Sequence, residues 1–111
     1  MHTSLSVQEL FTGSEWLSEI VISFENGKIV SMAKVGYDPK NAMPLVVPAL
    51  IDLQIYGAEN KLLSEYPEAT TIEKIYRYCL QGGVAYFQPT IASQSNEIIF
   101  KAIDAVKEYR K

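Results

Sequence analysis

Apolar and polar positions along this chain follow two different rhythms. In the first half they fall in short runs broken by turn residues. In the second half they shift to spacings of three and four. Ile20 to Glu25 and Lys28 to Ala33 are two short runs separated by Asn26-Gly27. Asn-Gly between apolar runs predicts a two-residue β-hairpin, because both turn residues must accept positive φ. In that register Glu25 pairs with Lys28, Phe24 with Ile29 and Val21 with Met32. Ile20, Ile22, Phe24 and Ile29 then share one face, with Val21, Val30 and Met32 on the other. A lone hairpin is not stable in water. A further strand is therefore expected, and Phe11 to Trp16, turning at Thr12-Gly13-Ser14, is the candidate. Tyr37 to Asn41 reads as a loop from its turn residues. Leu45-Val46-Val47 is apolar but bounded by Pro44 and Pro48, which suits a sheet edge or a connector.

After Pro48 the pattern changes. Ala49 to Tyr56 has the length and aliphatic content of a strand. Thr70 and Glu73 have the spacing of a capping box, with Thr70 as the N-cap and Glu73 reaching back. Ile72, Ile75, Tyr76, Cys79 and Leu80 then trace one face of a helix. Gly82 and Gly83 end it. Val84 to Gln88 is a second strand, closed by Pro89, and from about Ser95 a second helical face runs through Ile98, Ile99, Ala102, Ile103, Val106 and Tyr109. Strand, helix, strand, helix predicts a parallel sheet with right-handed crossovers. The fold class is α/β, with an organisational boundary between residues 1–47 and 48–111.

Composition narrows the chemistry. Thirteen acids and ten bases give a net charge of −3, spread evenly along the chain. No electrostatic footprint for nucleic acid or an anionic membrane results. No apolar stretch approaches the roughly 18 residues of a membrane span. Met1 to Leu10 lacks the basic start and apolar block of a signal peptide, so a cytoplasmic location is expected. Cys79 and His2 are the single cysteine and histidine. They support neither an internal disulfide nor a self-contained Cys/His zinc site. A Ser-His-Asp triad would have to rest on His2, near the terminus. Gly82-Gly83 alone makes no phosphate loop. Cys79 reads as a small buried hydrophobe, and Trp16, Met32 and Met43 as packing residues.

The strand Ala49–Tyr56 carries the chemical signal. Ala49, Ile51, Leu53 and Ile55 lie on one face, and Leu50, Asp52, Gln54 and Tyr56 on the other. Strands of a parallel sheet are usually apolar on both faces. A polar face with a carboxylate fits the interior of a barrel, whose active sites lie at the C-terminal strand ends. An antiparallel edge strand with a wet face, on which Asp52 and Gln54 are simply solvated, fits the same alternation.

Val46-Val47-Pro48-Ala49-Leu50-Ile51-Asp52-Leu53-Gln54-Ile55-Tyr56-Gly57 resembles the first barrel strand of the amidohydrolase superfamily, where a Pro-Gly pair, an apolar pair and Asp precede His-x-His. Phe24 to Ser31 resembles the hairpin of the small β-sandwich before the barrel, and Gly83 to Thr90 the second barrel strand with its Pro-Thr ending. Within the superfamily the likeness is greatest to the N-acetylglucosamine-6-phosphate deacetylase family. Some of its members carry Gln at the first His position, as Gln54 does here, and bind one metal ion. The Gln88-Pro89-Thr90-Ile91-Ala92-Ser93 run suits the same branch. Ala49 stands where Gly is usual, and Tyr56 where His or Asn is expected.

The resemblance implies part of a small β-sandwich over residues 1–47. Over 48–111 it implies the first two β-α units of a TIM-type (β/α)₈ barrel, which takes about 250 residues when complete. It implies a metal-dependent hydrolase acting on the acetamide of N-acetylglucosamine 6-phosphate in amino-sugar metabolism. A single divalent ion of the Zn or Fe type is expected for the full-length family, and none for this chain alone. Only Gln54 maps onto the neighbourhood of the metal site, because the later ligands and the catalytic Asp have no counterpart here. Asp52, Tyr56 and Thr90 are candidates for the pocket or barrel interior. Asp52 is read as structural, and Tyr56 as either a core aromatic or a pocket wall. The implied partner is a small amino-sugar phosphate, with a homo-oligomer expected and neither nucleic acid nor membrane. The alternatives are another amidohydrolase, or a non-catalytic α+β module for binding or assembly.

Overall fold

The computed structural model describes residues 2–111. The chain divides into two compact units, Met1–Pro48 and Ala49–Lys111. The first is a four-stranded sheet of β1 (His2–Phe11), β2 (Trp16–Glu25), β3 (Lys28–Ala33) and β4 (Met43–Val46), in the order β3-β2-β1-β4. The Asn26-Gly27 turn forms with both residues at positive φ, 50° and 75°. Glu25 faces Lys28 and Phe24 faces Ile29, as the pattern predicts. Beyond them the expected pairing of Val21 with Met32 is overturned. The register shifts between Ser23 and Phe24, so Ile22 faces Met32 and Val21 faces Ala33. An extra residue on one strand of a pair forms a bulge and reverses the faces that follow. Met32 thereby joins Ile22, Phe24 and Ile29 around an apolar hollow of about 320 Å³.

The strand β1 is longer than expected. Phe11 to Trp16 is its end, the turn and the start of β2, while the strand itself reaches back to His2. Val7 and Leu10 are three residues apart, yet both are buried. Strict alternation would place them on opposite faces. Their partners Ile20 and Leu17 show the same spacing. Between these pairs Glu19 has φ of 57°, and this left-handed residue resets the alternation. Val7, Leu10, Ile20 and Ile22 form the core of the unit, covered by Leu5, Leu17, Phe24 and Val46. β4, which contains Pro44, pairs in parallel with β1 at the sheet edge. The His2 side chain lies outside the described residues.

The second unit contains β5 (Leu50–Ile55), β6 (Gly57–Ala58), β7 (Lys61–Leu62), α1 (Ala69–Gln81), β8 (Val84–Pro89) and α2 (Asn96–Tyr109). β5 and β8 pair in parallel, with α1 as the crossover. This excludes the antiparallel reading of β5. The two strands form a sheet of their own among the described residues. Leu63, Ile72, Ala102 and Ala105 are the buried core, packed by Phe87, Ile91, Val106 and Tyr109.

Three local expectations are corrected here. The capping box does not form, because α1 begins at Ala69 with Glu68 as its N-cap and no side-chain cap. Thr70 Oγ1 donates instead to Glu68 Oε2, and Glu73 is drawn to Arg77 and Tyr109. On the predicted helical faces Leu80 and Ile103 are exposed, whereas Thr71 and Ala105 are buried. The β6–β7 hairpin lies within a stretch with no predicted element. Its turn residues Glu59 and Asn60 both have positive φ, 51° and 60°. A glutamate there is uncommon, so the sequence carries no Asn-Gly-type signal. The predicted helix at Ser95 does form, with Ser95 Oγ accepting from the Ile98 N–H.

Candidate functional site

The polar side chains of β5 are brought together with the end of β8. Asp52 lies beside Phe87 and Ile55 beside Pro89, a step of three residues on β5 against two on β8. The surplus residue makes an irregularity around Leu53 and Gln54, a device that re-aims side chains at sheet ends. Asp52 Oδ1 accepts from the Gln54 N–H at 2.9 Å, supplying a partner to a backbone donor that the disturbed ladder leaves free. Gln54 Nε2 donates to Tyr56 Oη at 2.6 Å. On the neighbouring strand the Thr90 N–H donates to the Ile55 carbonyl at 2.8 Å. The Thr90 hydroxyl donates to the Gln88 carbonyl at 3.1 Å. Gln54, Tyr56 and Thr90 thus gather at the C-terminal ends of two parallel strands, the position of active sites in α/β folds.

Asp52 also lines a hollow of about 300 Å³ with Tyr78, Cys79, Gln81, Gly82 and Val84. Burial, and secondarily the Asp52 charge, push the Cys79 thiol above its ordinary range. The thiolate is the form that attacks or binds metal, so burial disfavours both for this sulfur.

Among the described residues no three His, Cys, Asp or Glu side chains gather as a metal site. The amide of Gln54 is neutral and offers a metal only one weak oxygen ligand. The described residues therefore do not constitute a self-contained metal centre.

A second cluster was not predicted. Glu73 Oε1 accepts from Arg77 Nε at 2.8 Å, and Glu73 Oε2 accepts from Tyr109 Oη at 2.9 Å. Nearby, Lys74 pairs with Glu59 at 3.3 Å. The Glu73–Arg77 spacing of four is visible in the sequence, but the Tyr109 partner depends on how the two helices pack. Thr71 Oγ1 is buried with no hydrogen-bond partner among the described residues.

No protein-family model matches the chain, and no curated protein matches it. Solved structures do. N-acetylglucosamine-6-phosphate deacetylase from Pasteurella multocida superimposes with a TM-score of 0.83 at 20% identity, over 99% of this chain and 31% of that one. A mutant N-acetyl-D-glucosamine-6-phosphate deacetylase from Mycobacterium smegmatis, solved with N-acetyl-D-glucosamine-6-phosphate, gives 0.78 at 15% identity, over 98% and 30%. The chain spans about a third of the length of these proteins. It has the mixed α/β fold of their N-terminal region, beginning with a sheet-rich unit. Among the described residues no helix is long and apolar enough to cross a membrane.

Proposed function

We propose that this chain forms the N-terminal third of a metal-dependent deacetylase that hydrolyses the acetamide of N-acetylglucosamine 6-phosphate. The observation that carries the reading is a coincidence of fold and motif. A chain that superimposes along 99% of its length on such a deacetylase has Asp52, Gln54 and Tyr56 at the strand where the resembled family keeps its first metal-site residues. On this reading residues 48–111 open a (β/α)₈ barrel, and the sheet of residues 1–47 is part of its β-sandwich. The reaction cleaves the acetamide C–N bond with water, giving acetate and the free amine. Metal ligands and the acid-base residue would come from chain beyond Lys111, so residues 1–111 alone are inactive. A single divalent ion of the Zn or Fe type, a homo-oligomer and a cytoplasmic location complete the proposal, with an amino-sugar phosphate as the partner and neither nucleic acid nor membrane.

The test is acetate release from N-acetylglucosamine 6-phosphate by the chain extended with whatever its gene encodes after Lys111. Release that a chelator abolishes and a divalent ion restores is the expected result. Hydrolysis of a different amide in preference would move the chain to another amidohydrolase activity. A stop codon directly after Lys111, with no hydrolysis, would overturn the enzyme reading in favour of a non-catalytic module.

A further inference from the structure

The turn of the β6–β7 hairpin holds a residue that its backbone does not favour. Ala58 faces Lys61, so Glu59 and Asn60 form a two-residue turn, with φ of 51° and 60°. Asparagine tolerates this left-handed region, whereas a glutamate is strained there. The Glu59 carboxylate leaves the hairpin and meets Lys74 Nζ of α1 at 3.3 Å. α1 packs against β6, so the ion pair spans an existing contact. The Arg77 guanidinium, held up first by Glu73, feels the Glu59 charge as well. Other charges nearby are engaged elsewhere. Lys61 Nζ lies 4.6 Å from the centre of the Tyr66 ring, and the Glu73 carboxylate is taken by Arg77 and Tyr109. Among the described residues Glu59 is the ion-pair partner of Lys74.

This hairpin is short, and its base is the candidate site. Tyr56 directly precedes Gly57, the first residue of β6, and stands three residues from Glu59. Its carbonyl accepts from the Leu63 N–H at 2.9 Å, and its phenol oxygen accepts from Gln54 Nε2 at 2.6 Å. At Gly57 the two arms meet so closely that a Cβ would strike the Lys61 carbonyl, which couples one arm to the other. We propose that Glu59 and Lys74 are positioning residues: their ion pair docks the hairpin on α1 and so sets the Tyr56 phenol against the Gln54 amide. An exposed ion pair contributes little to stability. Its effect here is on where a side chain stands, and the strained turn residue is kept for its carboxylate. The inference deepens the deacetylase reading and rests on it for the importance of this strand end to the reaction. The pair acts through Tyr56, and no bond is made or broken.

The test follows the side-chain amide signals of Gln54 in a nitrogen–proton NMR spectrum of the 111-residue protein. Lys74→Met keeps an apolar stem and removes the charge. It should shift the Gln54 signals by more than a line width. Lys74→Arg keeps the charge and should leave them in place. Glu59→Gly separates the ion pair from the turn, because glycine suits positive φ but carries no carboxylate. It should relax the turn and still shift the Gln54 signals, as Lys74→Met does. Lys101→Met is the control. It breaks the Lys101–Glu97 pair of α2, 2.7 Å long, and should leave the Gln54 signals unchanged. Signals that stay in place in Lys74→Met or in Glu59→Gly would overturn the proposal. So would a shift of the same size in Lys74→Arg or in Lys101→Met. An extended chain that releases no acetate, with the Gln54 signals responding as expected, would sink the deacetylase reading and leave the positioning pair standing.

Discussion

Tyr109 donates its phenolic hydrogen to Glu73 Oε2 across 2.9 Å, joining the last turn of α2 to the first turns of α1. The residues are 36 apart in sequence, and the contact ties α2, which follows β8, to the crossover helix α1. Arg77 completes the arrangement by donating to the other Glu73 oxygen. The Arg77 and Tyr109 hydrogen bonds hold the Glu73 carboxyl below its ordinary range, while burial and the Glu73 carboxylate push the Tyr109 phenol up to about 12.

The Tyr109 hydroxyl thus makes the second unit sensitive to alkali. Tyr109 in the unfolded chain loses its proton near pH 10, the ordinary value. In the folded chain it does so near 12. Between these values the unfolded state binds fewer protons, so stability falls as pH rises from about 10 to 12 and is unaffected by Tyr109 below that window. An ultraviolet titration of tyrosinate should show a late-ionising component from Tyr109. Tyr109→Phe should remove that late component. A late component that survives in Tyr109→Phe would contradict the assignment.

The burial pattern of α1 separates two residues that the sequence places on one face. Ile75 is fully buried, whereas Leu80 is 48% exposed. Ile75→Ala leaves a cavity among close-packed neighbours and should cost about 2–5 kcal/mol. Leu80→Ala should cost about 0.5 kcal/mol or less, as exposed substitutions usually do. Urea unfolding followed by helical circular dichroism reports on the unit that carries both helices. Equal losses from the two substitutions would show that the face of α1 is wrongly assigned.

Much of this architecture is legible in the residues. The Asn26-Gly27 hairpin, the edge strand at Pro44 and the parallel β5–β8 pair all follow from local pattern. What escapes is whatever interrupts a period. Val30 is taken up in a bulge that turns Met32 over, and Glu19 adopts a left-handed conformation that lets Val7 and Leu10 share a core. Neither residue type announces such a role. The same limit applies at the candidate site. Asp52, Gln54 and Tyr56 are recognisable as a polar series, but the irregularity between Asp52 and Ile55 decides where their side chains meet. The Thr70–Glu73 capping box fails because α1 starts at Ala69, which places Thr70 inside the first turn and leaves Glu73 to Arg77 and Tyr109.

Cys79 provides a probe of local opening. Its side chain is buried, and its thiol is held above the ordinary range, first by burial and then by the Asp52 charge. Reaction with a disulfide reagent requires the thiolate and access to it. At pH 8 the native protein should react at least tenfold more slowly than the same protein in denaturing urea. Equal rates would mean that the hollow beside Asp52 admits the reagent without unfolding.

Gly57 fixes the position of Tyr56, and a single methyl group should disturb both. It opens β6, and its neighbour across the hairpin is Leu62. A Cβ at Gly57 would collide with the Lys61 carbonyl oxygen and lie 2.8 Å from Leu62 Cα. Both obstacles are backbone, so a flexible side chain cannot absorb the clash. The hairpin also carries Leu63, which is buried and whose N–H binds the Tyr56 carbonyl at 2.9 Å. Gly57→Ala should therefore cost about 1–3 kcal/mol, the usual range for overpacking. Gly82→Ala is the control, because a Cβ there meets ordinary contacts of 3.6 Å and its φ is −89°. Its effect should lie within about 1 kcal/mol, since an alanine accepts that backbone without strain. If the hairpin holds Tyr56 in place, Gly57→Ala will also move the Gln54 side-chain amide signals, and Gly82→Ala will not. A destabilised Gly57→Ala protein whose Gln54 signals stay unchanged would show that the Gln54–Tyr56 bond persists without the hairpin.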